Sequence, residues 1–415
     1  MDTLLDNTAP SERTAAPVQP HALPAAARRV LALLARLRVG TLTLHGPSGE
    51  MQVFGTHAAP HAQIHIRRWD VCAEVLKSGD IGFAEGYMAG DWTTTSLADL
   101  LRLLIANRRE LEGVVYGHWL GRLLYRTKHL LNRNTRRNSR KNIHAHYDLG
   151  NAFYELWLDP TMNYSSAWFD GDHGQDTVSA QRAKVSRALR MAGVRPGDRV
   201  LEIGCGWGAL AEAATRDFGA HLTGVTLSTE QLAFARARMN WNGTAQQSDL
   251  RLQDYRDIQD APFDAVCSIE MLEAVGQEYW PSYFQSVARL LKPGGRACIQ
   301  SIVIDEALFD RYLHSTDFIQ QYIFPGGCLP SAAEVRRQAG AAGLQVVDEL
   351  AFGPDYAETL RRWRADFMGN LEDVRQLGFD DRFVRLWEFY LAYCEAAFDE
   401  ANIDVVQFTL VRPTA

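Results

Sequence analysis

Residues 200–208 read VLEIGCGWG, an apolar run that ends in Gly204, Gly206 and Gly208 with Cys205 between them. Glycines at alternate positions let a backbone approach a ligand closely and take angles that other residues avoid. The helix expected from residue 209 then aims its first N–H groups at whatever the loop holds. The spacing is G-x-G-x-G, not the G-x-G-x-x-G of dinucleotide sites. The next strand, about 221–226, ends in Thr226-Leu227-Ser228, without the carboxylate that an NAD site uses for its ribose. A carboxylate lies instead inside the first strand, at Glu202. Together these features point to S-adenosylmethionine (SAM), and so to methyl transfer.

Three further clusters fall where later strands should end. Ser228-Thr229-Glu230-Gln231 reads as a capping box, Ser228 capping a helix and Gln231 bonding back to it. In a ligand site, Thr226, Leu227 and Gln231 would flank the nucleoside. Asp254, in the run Gln253-Asp254-Tyr255-Arg256-Asp257, either accepts from an adenine amino group or lies in a solvent-exposed turn. Glu270 and Glu273, three apart in an apolar segment, share one helix face. Buried acids without basic neighbours are costly, so one of them binds something polar unless the two form a bridged structural pair. Ahead of these, residues 144–169 concentrate rings: Tyr147, Phe153, Tyr154, Trp157, Tyr164, Trp168 and Phe169, with His144 and His146 beside them. Such a block serves either as core or as a wall that keeps water from a sulfonium.

The elements that must position these residues follow from patterning. From residue 193 onward strands alternate with helices, the signature of a parallel sheet. Strands are expected at 199–204, 221–226, 249–253, 263–269 and 295–303, the last delivered by a Lys292-Pro293-Gly294-Gly295 turn. Two more, near 345–352 and 405–411, finish the sheet, the final one as a hairpin partner. Segments 305–343 and 354–400 are helical and aromatic-rich, and are expected to cap the carboxyl ends of the strands, where ligands bind in such sheets. Residues 25–125 read as a small α+β unit. It has a helix over 25–39, a strand at Thr41-Leu42-Thr43-Leu44, a turn over 46–49 and a strand-like piece at Ile64, Ile66 and Trp69. A helix capped by Ser96 carries Leu97, Leu100, Leu101 and Leu104 on one face.

Bulk properties bound the answer. The 415 residues suffice for two domains, and no apolar run is long enough to span a bilayer. Residues 1–24, rich in Ala, Pro and Thr, lack the basic start and apolar core of a signal peptide and read as a disordered lead-in. The six cysteines are scattered singly; no C-x-x-C pair suggests a metal site or a disulfide framework, and reduced thiols in the cytoplasm fit. A net charge of −7 argues against nucleic acid as a partner. Yet residues 113–147 hold no acid, and Arg122, Arg126, Lys128, Arg133, Arg136, Arg137, Arg140 and Lys141 all fall there. This stretch is either a solvated linker or a contact with anionic lipid head groups. Trp119, Leu120, Leu123, Leu124, Leu130 and Leu131 recur beside the charges at helical spacing, as on a helix that lies on a membrane face or packs on its own domain. The expected boundaries are therefore 1–24 lead-in, 25–125 N-terminal unit, 126–143 basic linker and 144–415 catalytic domain.

With these residues in view, the chain resembles the cyclopropane-fatty-acyl-phospholipid synthases and mycolic acid cyclopropane synthases. The carriers are His146-Tyr147-Asp148-Leu149-Gly150-Asn151, Asp159-Pro160, Met162, Tyr164-Ser165, the glycine loop, Gly224-Val225-Thr226-Leu227-Ser228 with Gln231, residues 253–257, and residues 322–330 (YIFPGGCLP). Tyr390-Leu391, Cys394 and Phe398 complete the set, and Glu85-Gly86-Tyr87 with Asp91-Trp92 extend it more loosely into the N-terminal unit. The resemblance implies an α/β fold: a Rossmann-like class I methyltransferase with a seven-stranded sheet and a lipid-facing helical cap. It implies transfer of a methyl carbon from SAM to the double bond of an acyl chain, through a carbocation that aromatic faces stabilise. SAM would be held by Tyr164, Ser165, Glu202, Gly204, Cys205, Gly206, Gly208, Thr226, Leu227, Gln231, Asp254 and Tyr255. In such enzymes a bound bicarbonate takes up the proton, held by a glutamate, a tyrosine, a histidine, a cysteine and a backbone group. Carried over, the glutamate is Glu273, the tyrosine Tyr322 and the backbone contact lies near Ile302; Cys394 is read as a cavity-lining residue.

Three departures accompany the likeness. The Glu-His-Val-Gly of the family is here Glu273-Ala274-Val275-Gly276, the histidine of the fifth strand is Gln300, and the cysteine after the Tyr-Ser pair is Ser166. Gln and Ser can hydrogen-bond an anion but bring no titratable imidazole or thiol, so the bicarbonate site is retuned or absent. Deprotonation at another carbon would then leave a methylated or methylene-branched product instead of a ring. The expected activity is cyclopropanation of unsaturated acyl chains in phospholipids, by a cytoplasmic enzyme peripheral to the inner membrane face. Methylation at an acyl carbon without ring closure, small-molecule N-methylation and a non-catalytic SAM-binding protein docked on membranes are the alternatives. A homodimer stays open, because sequence does not fix oligomeric state.

Overall fold

The computed structural model describes residues 23–111 and 149–414. The basic stretch, Tyr147, His144 and His146 lie outside the described residues, as does the lead-in up to residue 22. Leu23 is buried, and its carbonyl accepts from Arg28 Nη1 at 2.7 Å.

The N-terminal unit comprises α1 (Ala25–Leu34), β1 (Thr41–His45), β2 (Met51–Gly55), β3 (His61–Ile66), α2 (Asp70–Ser78), α3 (Asp80–Ala89), β4 (Trp92–Thr93) and α4 (Leu97–Ala106). Its sheet runs β2-β1-β3-β4, with β1 parallel to β3. Ser96 caps α4 as expected, its Oγ accepting from Asp99 N. The first helix stops at Leu34, short of 39, and the piece holding Ile64 and Ile66 ends before Trp69, which instead precedes α2. Patterning did not reveal β2, α2 or α3. The α3 sequence DIGFAEGYMA is apolar around most of its circumference because six of its residues are buried, and a helix enclosed on all sides has no stripe to read.

The second unit begins with α5 (Asn151–Glu155) and α6 (Thr177–Met191). Then β5 (Arg199–Ile203), α7 (Ala209–Arg216), β6 (His221–Thr226), α8 (Thr229–Trp241), β7 (Ser248–Leu252), β8 (Phe263–Ile269) and the single turn α9 (Leu272–Val275) alternate. They are followed by α10 (Trp280–Leu290), β9 (Leu291–Ile304), α11 (Glu306–Tyr312), a π-helical turn (Ile319–Ile323), α12 (Ala332–Ala341) and β10 (Gln345–Ala351). The fold ends with α13 (Gly353–Gly369), α14 (Leu371–Gln376), α15 (Asp381–Asp399) and β11 (Ile403–Val411). The sheet has seven strands in the order β10-β11-β9-β8-β5-β6-β7, the last five parallel. All seven expected strands form. The Lys292-Pro293-Gly294-Gly295 turn loops out where β8 and β9 slip register between Phe263 and Ala265. β11 inserts between β9 and β10, antiparallel to both. Of the segment expected as cap, α12 is instead the crossover into β10, while α13 and α15 cover the carboxyl end of the sheet and α15 also meets α3 and α4. The direction of crossover reverses at β5, between β6 and β8, which opens a crevice at the strand ends.

Candidate active site

A cavity of about 130 Å³ opens at that crevice. Eleven of the twelve residues expected at the cofactor line it: Tyr164, Ser165, Glu202, Gly204, Cys205, Gly206, Thr226, Leu227, Gln231, Asp254 and Tyr255. Gly208 does not. It is the N-cap of α7 in a left-handed conformation (φ 84°), and a Cβ there would lie 3.0 Å from the Cβ of Ala235. Its task is to let α7 pack against α8. Gly206 is different: φ is +48° and a Cβ would meet nothing within 4 Å, so the missing side chain leaves an open cradle. Ser228 Oγ accepts from Gln231 N at 3.2 Å, the expected cap. The Gln231 side chain does not return to Ser228; its Oε1 accepts from Thr226 Oγ1 at 3.0 Å, which fixes both residues at the cavity wall. Asp254 is buried, not in an exposed turn, and both of its oxygens accept from the Arg256 guanidinium.

Glu202 carries the electrostatic signature of this cavity. It is buried, and its Oε2 has no hydrogen-bond partner among the described residues. Burial pushes its carboxyl up to about 8, against the pull of Lys184. Lys184 lies on α6 on the face shared with Ala180 and Ala188, and its Nζ donates to Ser165 Oγ at 2.5 Å. Burial pushes this ammonium down to about 8. An orphaned buried carboxylate beside an open glycine cradle fits the cationic amino acid end of SAM.

A second, larger cavity of about 430 Å³ adjoins the first. Its lining is chiefly apolar and comes from both units: Leu34, Leu44, Ile66 and Leu104 on one side, Ile302, Phe324, Leu360 and Phe398 on the other. Tyr164, Glu270, Met271 and Ala274 line both cavities and so mark where they meet. Tyr164 and Tyr390 share a hydrogen bond between hydroxyls at 2.7 Å. The Tyr356 and Phe398 rings lie 4.4 Å apart. Tyr356 comes from α13, and Tyr390 and Phe398 come from α15. The rings of 144–169 that the structure describes are mostly core: Phe153, Tyr154 and Trp157 are buried against Trp363, Trp387 and Phe383, and of that set Tyr164 alone lines both cavities.

The residues expected around bicarbonate are dispersed or already engaged. Glu273 lines the apolar cavity, and its Oε1 accepts from the N–H of Ile302, the implied backbone contact. Burial, with the like charge of Glu270 adding to it, raises the Glu273 carboxyl to about 8. Tyr322 is turned away: from the π-helical turn its hydroxyl donates to Glu85 of α3. Ser166 Oγ donates to the Ala167 carbonyl at 2.8 Å, while its N–H donates to Glu270 Oε1 at 2.9 Å. Gln300 Nε2 donates to the same oxygen at 2.7 Å. Cys394 lines the cavity, and burial holds its thiol protonated. Two carboxylates already face this point and the donors are in use, so bicarbonate does not fit. The sequence marked Glu270 only as one of a pair; Tyr356 and Lys184 it did not mark at all, although the Ala180-Lys184-Ala188 spacing turns that ammonium inward.

A family model described as mycolic acid cyclopropane synthetase matches residues 134–408. The protein belongs to that family. It is 42% identical over 365 residues to the tuberculostearic acid methyltransferase UfaA1 of Mycobacterium tuberculosis, covering 86% of this chain and 84% of that one. To the cyclopropane-fatty-acyl-phospholipid synthase of Escherichia coli it is 33% identical over 352 residues, covering 85% and 88%. Among solved structures, mycolic acid cyclopropane synthase CmaA1 complexed with SAH and CTAB superposes with a TM-score of 0.62 at 32% identity, over 66% of this chain and 98% of that one. As a member of this family, the protein is a SAM-dependent methyltransferase of the class I fold.

Proposed function

We propose that the protein methylates the carbon–carbon double bond of an unsaturated fatty acyl chain in a phospholipid. One observation carries this reading: an apolar cavity of about 430 Å³ joins the SAM cavity at Tyr164, Glu270, Met271 and Ala274. Its volume falls in the usual range for a buried ligand, and each methylene taken from water into it contributes about 0.8 kcal/mol. An alkene is a weak nucleophile, so alignment and exclusion of water must supply much of the rate. SAM, when bound, supplies an electrophilic methyl group. The Tyr164 and Tyr390 hydroxyls hold each other, and the faces of Tyr356 and Phe398 stand ready beside positive charge on the substrate.

The product is a methyl or methylene branch. The relative at 42% identity is named a methyltransferase and the one at 33% a cyclopropane synthase, and Ala274, Gln300 and Ser166 replace the expected anion ligands. The basic stretch before residue 142 supplies the contact with the membrane surface. Purified protein incubated with methyl-labelled SAM and vesicles of unsaturated phospholipid provides the test. Label in a lipid acyl tail that takes up hydrogen under mild catalysis indicates a methylene branch, and resistance with the mass gain of one CH₂ indicates a ring. Label found only in small amines would remove the acyl reading.

A further inference from the structure

Glu270 has φ of +51°. For a residue with a side chain this region costs about 1–2 kcal/mol, and such strain collects at working sites. The strained backbone delivers a carboxylate to the junction of the two cavities. Its Oε1 accepts from Ser166 N at 2.9 Å and Gln300 Nε2 at 2.7 Å, and its Oε2 accepts from the Tyr356 hydroxyl at 2.7 Å. Ser166 and Gln300 are the positions expected to face a free anion. An ionised carboxylate offers about four lone-pair sites; among the described residues these three bonds leave one, on Oε2.

A second observation fixes the direction of this network. Arg187 Nη1 donates to Gln407 Oε1 at 2.7 Å, and Gln407 Nε2 donates to Gln300 Oε1 at 3.0 Å. A guanidinium can only donate, so each amide turns its oxygen toward Arg187 and its nitrogen toward Glu270. The relay ends on an acceptor, which an ionised carboxylate satisfies best. Burial raises the Glu270 carboxyl, while Lys184 and the three donors oppose the shift. Burial and the like charge of Glu270 raise the Glu273 carboxyl, whose Oε2 has no hydrogen-bond partner among the described residues.

We propose that Glu270 is the built-in general base of the reaction, its carboxylate filling the place that the family resemblance gives to bicarbonate. This rests on the acyl-chain reading. Once the alkene π pair has formed the new C–C bond, the acyl tail holds a cation. Oε2 of Glu270 takes a proton from a C–H of the methylated segment, and that C–H pair closes the new bond, a double bond for a methylene branch or the third ring bond for a cyclopropane. The product is neutral, and the proton stays on Glu270 until product leaves and solvent removes it. A fixed carboxylate needs no anion to bind first.

The test compares wild type, Glu270→Gln and Glu270→Gly in buffer stripped of carbon dioxide and in buffer with added bicarbonate. Wild type should turn over unsaturated phospholipid equally in both. Glu270→Gln should lose about 10²–10⁴-fold in rate and keep its affinity for SAM. Glu270→Gly, at ease with positive φ, should regain turnover saturably with bicarbonate or formate. A readout independent of turnover is the NMR line width of ¹³C-bicarbonate with the SAH-loaded proteins, broadened by Glu270→Gly and not by wild type. A wild type that speeds up with bicarbonate or broadens its signal overturns the proposal, as does Glu270→Gln at the wild-type rate. If wild type methylates no lipid, the acyl reading fails, while the line widths still decide whether Glu270 fills the anion site.

Discussion

SAM binding should be strongly pH-dependent, with the slope set by Glu202. Without cofactor this carboxyl is buried and lifted to about 8, so near neutrality most molecules carry it protonated. Pairing with the cofactor ammonium requires the ionised form. The apparent affinity is then the intrinsic affinity scaled by the ionised fraction. With a pKa of about 8 that fraction is roughly 0.01 at pH 6 and roughly 0.09 at pH 7, so affinity should rise about ninefold over this unit and level off above pH 8. Lys184, near 8 itself, stays charged between pH 6 and 7 and does not supply the slope. Isothermal titration calorimetry in buffers of different ionisation enthalpy would read both quantities, the rise in affinity and release of nearly one proton per SAM bound at pH 7. Glu202→Gln should flatten the profile, whereas Glu273→Gln, which changes the other cavity, should keep it. A flat wild-type profile with no proton release would refute the assignment of Glu202 to the cationic end of SAM.

Other outcomes follow from the same geometry. Leu104→Trp, placed on the apolar cavity wall contributed by the N-terminal unit, should cost about 1–3 kcal/mol at most in stability. It should depress turnover of long-chain phospholipids far more than of short-chain ones, without moving SAM affinity; equal loss on both tail lengths would argue against the cavity holding the acyl group. Asp80 of α3 and Asp317 are half-buried near one another and raised to about 7 and about 6, by loss of solvent first and, for Asp80, by the charge of Asp317. Carboxyls raised on folding contribute stability that is full below their ordinary range and lost as pH climbs to the raised value. The melting temperature of wild type should therefore fall between pH 5 and 7.5 by about 2 °C or more relative to Asp317→Asn, read by calorimetry; parallel curves would remove the pair from the balance. Vesicle binding should weaken as salt rises if Arg133, Arg136, Arg137 and Arg140 touch anionic lipid, and replacing these four by Gln should cost about 1 kcal/mol each in a sedimentation assay. Binding indifferent to salt leaves that stretch a linker.

The local sequence determined the parallel strands, the glycine loop and most of the residues that line the cavity at the strand ends. Each of these depends on a short run: a both-faces-buried strand, a turn that only glycine accommodates, a cap whose hydroxyl accepts from the N–H three residues on. For that reason residues 200–208 and the strand ends at Thr226, Asp254 and Glu270 were legible one after another. Tertiary structure decided what the carboxylates and amides do. Glu270 and Gln300 lie thirty residues apart, and Tyr356 and Gln407 more distant still; the fold of α13 over the sheet brings Tyr356 to the Glu270 carboxylate, and the insertion of β11 beside β9 sets Gln407 behind Gln300. The same holds for Tyr322, whose motif suggested an anion ligand but whose π-helical turn points it at Glu85. It holds equally for α3, invisible to patterning because enclosure by two units removes the polar face. Spacing records what one element needs, whereas a hydrogen bond between distant elements is recorded nowhere in the sequence until packing makes it.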